Sequence, residues 1–352
     1  MKKAFALLLT LTMTLSLAAC GSSPQPGSDS SNPSGGGASG SGGETVKLVF
    51  ATGSSPLQTS TAAVLRMADT LAELSGGTME LECHTDGALG EEDALVDACS
   101  MGTIDMIFCA AAALEGIIPQ YQLIDLPFSF ATKEEAFAFL DGDVGNYLFQ
   151  LTEEKMGMHG LVYLENGLRC FSNNVRPITS PADMVGLKMR CMSSQVYIDM
   201  YSALGASATV IPYGELYTAM QQGVVDGQEN PLGNIYSMRF YEVQKYITVD
   251  NHVYDPDILF INSQSFAKLT SQQQAWLEQA AAQALQESRD NLGCMTQQEY
   301  IDFFRENGCE VTELTPEQHQ LFAEATKDVY KNFADSIGEE GINLYLKATG
   351  RA

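Results

Sequence analysis

Residues 186–231 open with Gly186-Leu187-Lys188-Met189-Arg190. They continue through Gly214-Glu215-Leu216-Tyr217-Thr218-Ala219-Met220-Gln221-Gln222-Gly223 and close with Val224-Val225-Asp226-Gly227-Gln228-Glu229-Asn230-Pro231. In Leu187-Lys188-Met189-Arg190 apolar and cationic residues alternate, which predicts a strand with Lys188 and Arg190 on one face. The middle run predicts a short helix stopped at Gly223, and the last a second strand that ends near Asn230. An arginine and an asparagine thus stand at two strand ends with a helix between them. Strand–helix–strand order argues an α/β fold, in which ligand-binding loops gather at strand ends.

Working outward, the same construction recurs. Val46–Phe50 reads as a strand, Thr61–Ser75 as an amphipathic helix stopped by Gly76-Gly77, and Thr78–His84 as a second strand. Asp93–Met101 reads as a helix and Thr103–Phe108 as a buried strand. Leu95, Ala98, Gly102, Ile104 and Asp105 correspond at a constant offset to Leu216, Ala219, Gly223, Val225 and Asp226. Helix–Gly–strand–Asp therefore occurs once in each half, as expected of two lobes of similar build. Lys133–Leu140, Val144–Met156 and Val196–Leu204 predict helices, while Gly160–Leu164, Gln244–Thr248 and Asp257–Ile261 predict strands. Beyond Thr270 the pattern is helical: Ser271–Leu292, Met295–Asn307 and Pro316–Ile337, the last opened by Thr315-Pro316.

The N-terminus reads as an export signal. Lys2 and Lys3 precede an apolar run, Ala4–Leu17, that is short for a membrane span. Leu17-Ala18-Ala19-Cys20 matches a lipoprotein lipobox, which assigns residues 1–19 to a cleaved signal and Cys20 to lipidation. Of Gly21–Gly43, nineteen residues are Gly, Ser or Pro. Such a run has no apolar surface to bury, so residues 20–45 are expected to be a lipidated cysteine and a flexible tether.

Net charge is −25, and removal of residues 1–19, with two lysines and no acid, takes it to −27. A nucleic-acid partner would need basic patches that this balance excludes. An acidic chain also repels anions at long range, so anion binding requires a local, enclosed cationic site. Besides Cys20 there are seven cysteines, Cys83, Cys99, Cys109, Cys170, Cys191, Cys294 and Cys309, with no CxxC spacing. They read as small buried hydrophobes rather than a disulfide framework or a zinc site.

Catalysis has little support: His84, His159, His252 and His319 are scattered, and no nucleophile elbow, P-loop or HExxH motif occurs. No metal and no cofactor is expected. Arg169 and Arg190 both border expected strand ends, and a guanidinium can grip a carboxylate through two parallel hydrogen bonds. On pattern alone the ordinary readings are preferred, Arg190 as an exposed strand arginine and Asn230 as a turn residue, and Tyr213 reads as a core aromatic or a lid.

The central motif, with Val196–Ala206, Phe240–Tyr246 and Asn251–Asp255, resembles the DctP-type solute-binding proteins of TRAP transporters. Gly87-Ala88-Leu89-Gly90, Gly102–Met106 and Asp125-Leu126-Pro127-Phe128 fit the same family, and the likeness runs from Val46 to the C-terminal helices. The resemblance implies a two-lobed periplasmic-binding-protein-like α/β fold, with a ligand cleft between the lobes and long C-terminal helices. One lobe would be residues 46–166 plus about 256–295, the other 167–255 plus about 310–345. It places Arg190 as the carboxylate-gripping arginine, Arg169 as a supporting one, Asn230 as the cleft asparagine and Tyr213 as an aromatic packed on the ligand. Glu92 falls where an acid can meet ligand hydroxyls. Gly53, Ala110 and Ala113 are small where sialic-acid-binding members carry polar groups, which favours a C4-dicarboxylate or a sugar acid.

The function so implied is extracytoplasmic capture of a small organic acid by a monomer that delivers it to the two TRAP membrane subunits. It would touch the membrane only through its lipid. Two alternatives stay open on sequence alone, a ligand-sensing surface lipoprotein and, with less support, a surface hydrolase.

Overall fold

A computed structural model describes residues 45–130 and 132–349. The signal-like segment, Cys20 and the Gly/Ser/Pro run lie outside the described residues.

Nine strands form one mixed sheet: β1 (Val46–Ala51), β2 (Met79–His84), β3 (Met106–Cys109), β4 (Met158–Asn173), β5 (Lys188–Cys191), β6 (Ser207–Val210), β7 (Gly227–Pro231), β8 (Tyr246–Asn262) and β9 (Glu310–Glu313). Their order is β2-β1-β3-β8-β4-β7-β5-β6, with β9 beside β8. The parallel strands β1 to β3 define the first lobe and the parallel strands β5 to β7 the second. Antiparallel β4 and β8 serve both lobes, running from Met158 opposite Asn262 to Asn173 opposite Tyr246.

Each lobe buries apolar side chains on both sheet faces. In the first, one core layer gathers Val64, Leu81, Leu259 and Leu277 beneath helix α1 (Thr59–Leu74) and the helix Ser271–Arg289. The other gathers Leu95, Ile107, Phe139 and Phe260 beneath helix α2 (Glu92–Ser100) and the helices Lys133–Leu140 and Asp143–Met156. In the second lobe the corresponding layers hold Leu216, Ile235 and Phe304 on one face and Met189, Tyr201 and Phe322 on the other. A fully buried Leu or Val side chain contributes roughly 1.5–3 kcal/mol, so these four layers dominate the stability.

The repeated helix–Gly–strand–Asp has a structural counterpart. Gly102 and Gly223 both take left-handed backbone, at φ 75° and 68°, where a side chain would be strained. Three residues later Asp105 accepts the Val49 amide of β1 at 2.9 Å, and Asp226 accepts the Lys188 amide of β5 at 2.8 Å. In both lobes the acid ties the new strand to its neighbour.

Three expectations are corrected. The strands expected at Gln244–Thr248 and Asp257–Ile261 are one continuous strand, β8, which begins at Tyr246. The polar stretch between them stays in the sheet because its side chains are paired inside: Asp250 accepts the Phe171 amide at 3.0 Å and meets His252 at 2.7 Å, and His252 stacks on Phe171 at 4.3 Å. Likewise the strand expected at Gly160–Leu164 extends to Asn173. Pro316–Ile337 is not one helix. A helix Pro316–Thr326, opened by a Thr315–Gln318 capping box, gives way to a turn of 3-10 helix at Val329–Asn332 and a further helix from Ala334. The break lets the chain change lobes: Phe322 packs in the second-lobe core, while Val329, Phe333 and Ile337 pack in the first.

All seven described cysteines are unpaired, and five of them are buried. Among the described residues no helix is long and apolar enough to cross a membrane.

Candidate functional site

The C-terminal end of β1 runs into Thr52-Gly53-Ser54, and there a cavity opens between the lobes. From the first lobe it is walled by this loop, Gln58, Glu91, Glu92 and Ala110. Gln58 precedes α1 and Glu91 precedes α2, so two helix N-termini border the space. Neither side chain caps its own helix; both reach into the cleft instead. The crossing strands supply Asn166, Arg169, Asp255 and Asp257, and the second lobe supplies Met192, Tyr213, Asn230 and Asn234. Free space is about 50 Å³. Ligand pockets usually enclose about 300 Å³ or more, so the lobes must part to admit an organic acid.

The two arginines differ in their partners. Arg169, on β4, is 1% exposed and saturated. Its Nε and Nη2 grip the Glu229 carboxylate, Nη1 binds Asp255, and Nη2 also donates to the Glu229 carbonyl at 2.7 Å and to Asn230 Oδ1 at 3.2 Å. Burial alone would lower its pKa, but Glu229 and Asp255 outweigh that and hold it well above the ordinary value.

Arg190, on β5, is 2% exposed and has no carboxylate within salt-bridge distance among the described residues. Its Nε donates to the Ile211 carbonyl at 2.8 Å, while its buried Nη1 has no partner. Burial lowers its pKa, with Glu229 opposing and the Arg169 charge adding to the shift. Arg190 stands just behind the cavity wall, and its charge acts on Glu92 and Tyr213, which do line it. A buried cation left uncompensated is costly, and such a group is normally matched by an anion. Lys188, on the same strand face, is exposed at the strand's start.

Glu92 lines the cavity with Oε1 accepting the Ala110 amide at 2.8 Å. Burial pushes its carboxyl up to about 7, against that amide and Arg190, with Asp255 and Asp93 adding to the rise. Tyr213 packs edge-on against Phe240 at 6.0 Å and leaves its buried hydroxyl without a partner. Asn230 donates to Gln228 Oε1 and accepts from Arg169 and Asn234. The structure thus gathers Arg169, Asn230, Tyr213 and Glu92 on the cavity wall and Arg190 behind it. Gly53 and Ala110 line the wall and Ala113 does not.

Sequence reading missed a second set of groups. Gln58 Nε2 donates to Asn166 Oδ1 at 3.0 Å and to Asp257 Oδ2 at 2.9 Å, and Ser60 also binds Asp257. Asn166 Nδ2 in turn donates to Asp255 Oδ2 at 3.0 Å. Asp255 and Asp257 were findable: two residues apart in a strand, they share a face. Gln58 carried no such signal.

Among the contacts that bridge the lobes beside the cavity are two hydrogen bonds to first-lobe glutamates. The Gly214 amide donates to Glu91 Oε2 at 3.3 Å. Ser194, which caps the helix Gln195–Ala203, donates to Glu115 Oε2 at 2.8 Å.

The model of the DctP family, described as bacterial extracellular solute-binding protein, family 7, matches residues 50–336. The chain is 32% identical over 301 residues to the 2,3-diketo-L-gulonate-binding periplasmic protein YiaO of Escherichia coli, covering 85% of this chain and 87% of that one. Among solved structures, the sugar acid binding protein DctPAm from Advenella mimigardefordensis, in complex with galactonate, superposes with a TM-score of 0.82. It is 30% identical, with 88% of this chain and 99% of that one covered. A TRAP periplasmic solute-binding protein from Sulfurospirillum deleyianum with bound succinate gives a TM-score of 0.81 at 29% identity, with 87% and 98% covered.

Proposed function

The chain belongs to the DctP family of bacterial extracellular solute-binding proteins, and we propose that it captures a small organic acid anion, a C4-dicarboxylate or a sugar acid, between its lobes. It is a binding protein and not an enzyme. The observation that carries the ligand's charge is Arg190: a buried guanidinium with no acidic partner and a buried Nη1 without a bond. A ligand carboxylate would supply both the counter-charge and the missing acceptor. Relatives whose names or bound ligands include diketogulonate, galactonate and succinate all handle carboxylates, which supports this reading.

In this mechanism the open lobes admit the anion, and closure brings the first-lobe wall onto it while Arg190 binds the carboxylate from the second lobe. Closure is favoured by contacts that exist only in the closed form, among them Glu91 to Gly214. Asn230 and Tyr213 would orient the ligand beside Arg190, with Arg169 holding that wall in place. The closed protein would then dock on the TRAP membrane subunits. Leu17-Ala18-Ala19-Cys20 supports a lipid anchor at Cys20, from which Gly21–Gly43 would tether the lobes outside the cytoplasm.

A thermal-shift screen over dicarboxylates, keto acids and sugar acids tests this. A ligand at about a thousandfold over its dissociation constant adds roughly 4 kcal/mol of stability. A clear upward shift with at least one acid is expected; no shift with any of them contradicts the reading.

A further inference from the structure

We propose that the cleft selects a polyhydroxy monocarboxylate, an acid with hydroxyl groups behind its carboxylate, over an acid with a second carboxylate. This rests on the organic-acid reading above and narrows it.

The unmet hydrogen-bonding groups of the cleft are unevenly distributed between donors and acceptors. On the Arg190 side the unmet donors are Nη1 and the neighbouring Tyr213 hydroxyl, which the two oxygens of one carboxylate satisfy. Elsewhere on the wall the unmet groups are acceptors: Gln58 Oε1, Asp255 Oδ1 and Asn234 Oδ1 are all buried without a partner. Two of these are fixed in that role. Gln58 presents its oxygen because its amide nitrogen is held by Asn166 and Asp257. Asp255 accepts from the Arg169 guanidinium and the Asn166 amide on its other oxygen, which leaves Oδ1 open to a ligand donor. Glu91, Glu92 and Asp257 add further carboxyl groups to the same wall.

A second ligand carboxylate brings only acceptors and another negative charge to this surface. Buried acceptors facing acceptors remain unsatisfied, at the full desolvation cost. Hydroxyl groups bring donors and no charge. An ammonium would also donate, but entering the enclosed cleft strips a full charge of its water, a desolvation cost that opposes it and that a neutral hydroxyl does not carry. Hydroxyls meet the acceptors without that opposition. Selectivity of this kind is large when a site is built to hydrogen-bond a group that the competitor lacks.

Three four-carbon acids separate the cases by calorimetry on the full chain: erythronate, succinate and 4-aminobutyrate. Erythronate is expected to bind at least tenfold tighter than either of the others. At about pH 8.5, above the value of about 7 to which burial raises Glu92, Glu92→Gln removes one charge from the wall at constant size, and the erythronate-to-succinate preference is expected to fall at least threefold. Succinate binding as tightly as erythronate overturns the proposal and leaves the organic-acid reading standing. Tighter binding of 4-aminobutyrate overturns it in favour of a cationic group. An unchanged preference in Glu92→Gln also counts against it. No binding by any acid, including galactonate as a longer polyhydroxy probe, removes both readings together.

Discussion

The guanidinium of Arg169 holds the carboxylate of Glu229 in a two-pronged grip, with the second prong at 2.9 Å and both side chains almost wholly buried. Arg190, two strands away in the sheet order, has no such acid. The same residue type therefore has opposite effects on the unliganded fold. Arg169→Met strips buried Asp255 of its cation and leaves Glu229 with His252 alone, and is expected to destabilise by about 3–5 kcal/mol. Arg190→Met removes an uncompensated buried charge and is expected to raise the unfolding midpoint while abolishing ligand binding. Chemical denaturation of both variants without ligand checks the pair; equal losses of stability would contradict the distinction.

Gly214 is one of the points where the second lobe touches the first. A Cβ there would lie 2.3 Å from Glu91 Oε1, the end of an exposed and flexible side chain. Gly214→Ala should therefore push Glu91 aside and weaken closure without unfolding the protein. The lost bond is worth about 0.5–1.5 kcal/mol, or roughly a two- to thirteenfold weaker affinity with little change in stability. Calorimetry beside a thermal melt reads both; unchanged affinity would remove this contact from the closing mechanism.

Stability should fall as pH rises above about 4.5. Burial pushes Glu92 and Glu115 up to about 7 from an ordinary 4.5, so the folded state binds more protons than the unfolded one between those values. Their contribution is complete below 4.5 and lost as pH rises through 7. His252 extends the trend: burial would lower its pKa, but Asp250 and Glu229 raise it to about 9 from 6.5, and that contribution is lost as pH rises through 9. Glu229 works the other way, since Arg169 outweighs burial and holds it below the ordinary value, so its contribution is lost in acid. Melting temperatures from pH 4.5 to 7.5 should decline in the wild type and decline less in Glu92→Gln. A rise over that range would contradict these assignments.

Cys20→Ser should abolish metabolic labelling with a radioactive fatty acid and release the protein from membranes. Labelling that persists in the variant would show that the anchor is elsewhere.

How much of this was legible beforehand follows from what each feature depends on. The central strand–helix–strand and the glycine-stopped helices depend on local pattern, and they are where Gly186–Pro231 and Gly102 indicated. Arg190 could be located but not interpreted, because its lack of an acid is a fact about every other chain segment. Asp250, His252 and Asp255 looked like a loop between two strands. They are tolerated inside β8 only because Phe171, Glu229 and Arg169 meet them from β4 and β7. Gln58 was invisible for the same reason, since its partners Asn166 and Asp257 lie far along the chain. Long-range pairing, rather than propensity, decides these positions.

The most direct test of the account is the affinity of Arg190→Lys, measured by calorimetry with whichever organic acid the thermal screen returns. Lysine keeps the charge and loses the planar fork. The loss of one charge-assisted hydrogen bond costs about 1.5–3 kcal/mol, so binding should weaken roughly ten- to 150-fold while the melting temperature without ligand changes little. Wild-type affinity in that variant would contradict the claim that Arg190 holds the ligand's carboxylate.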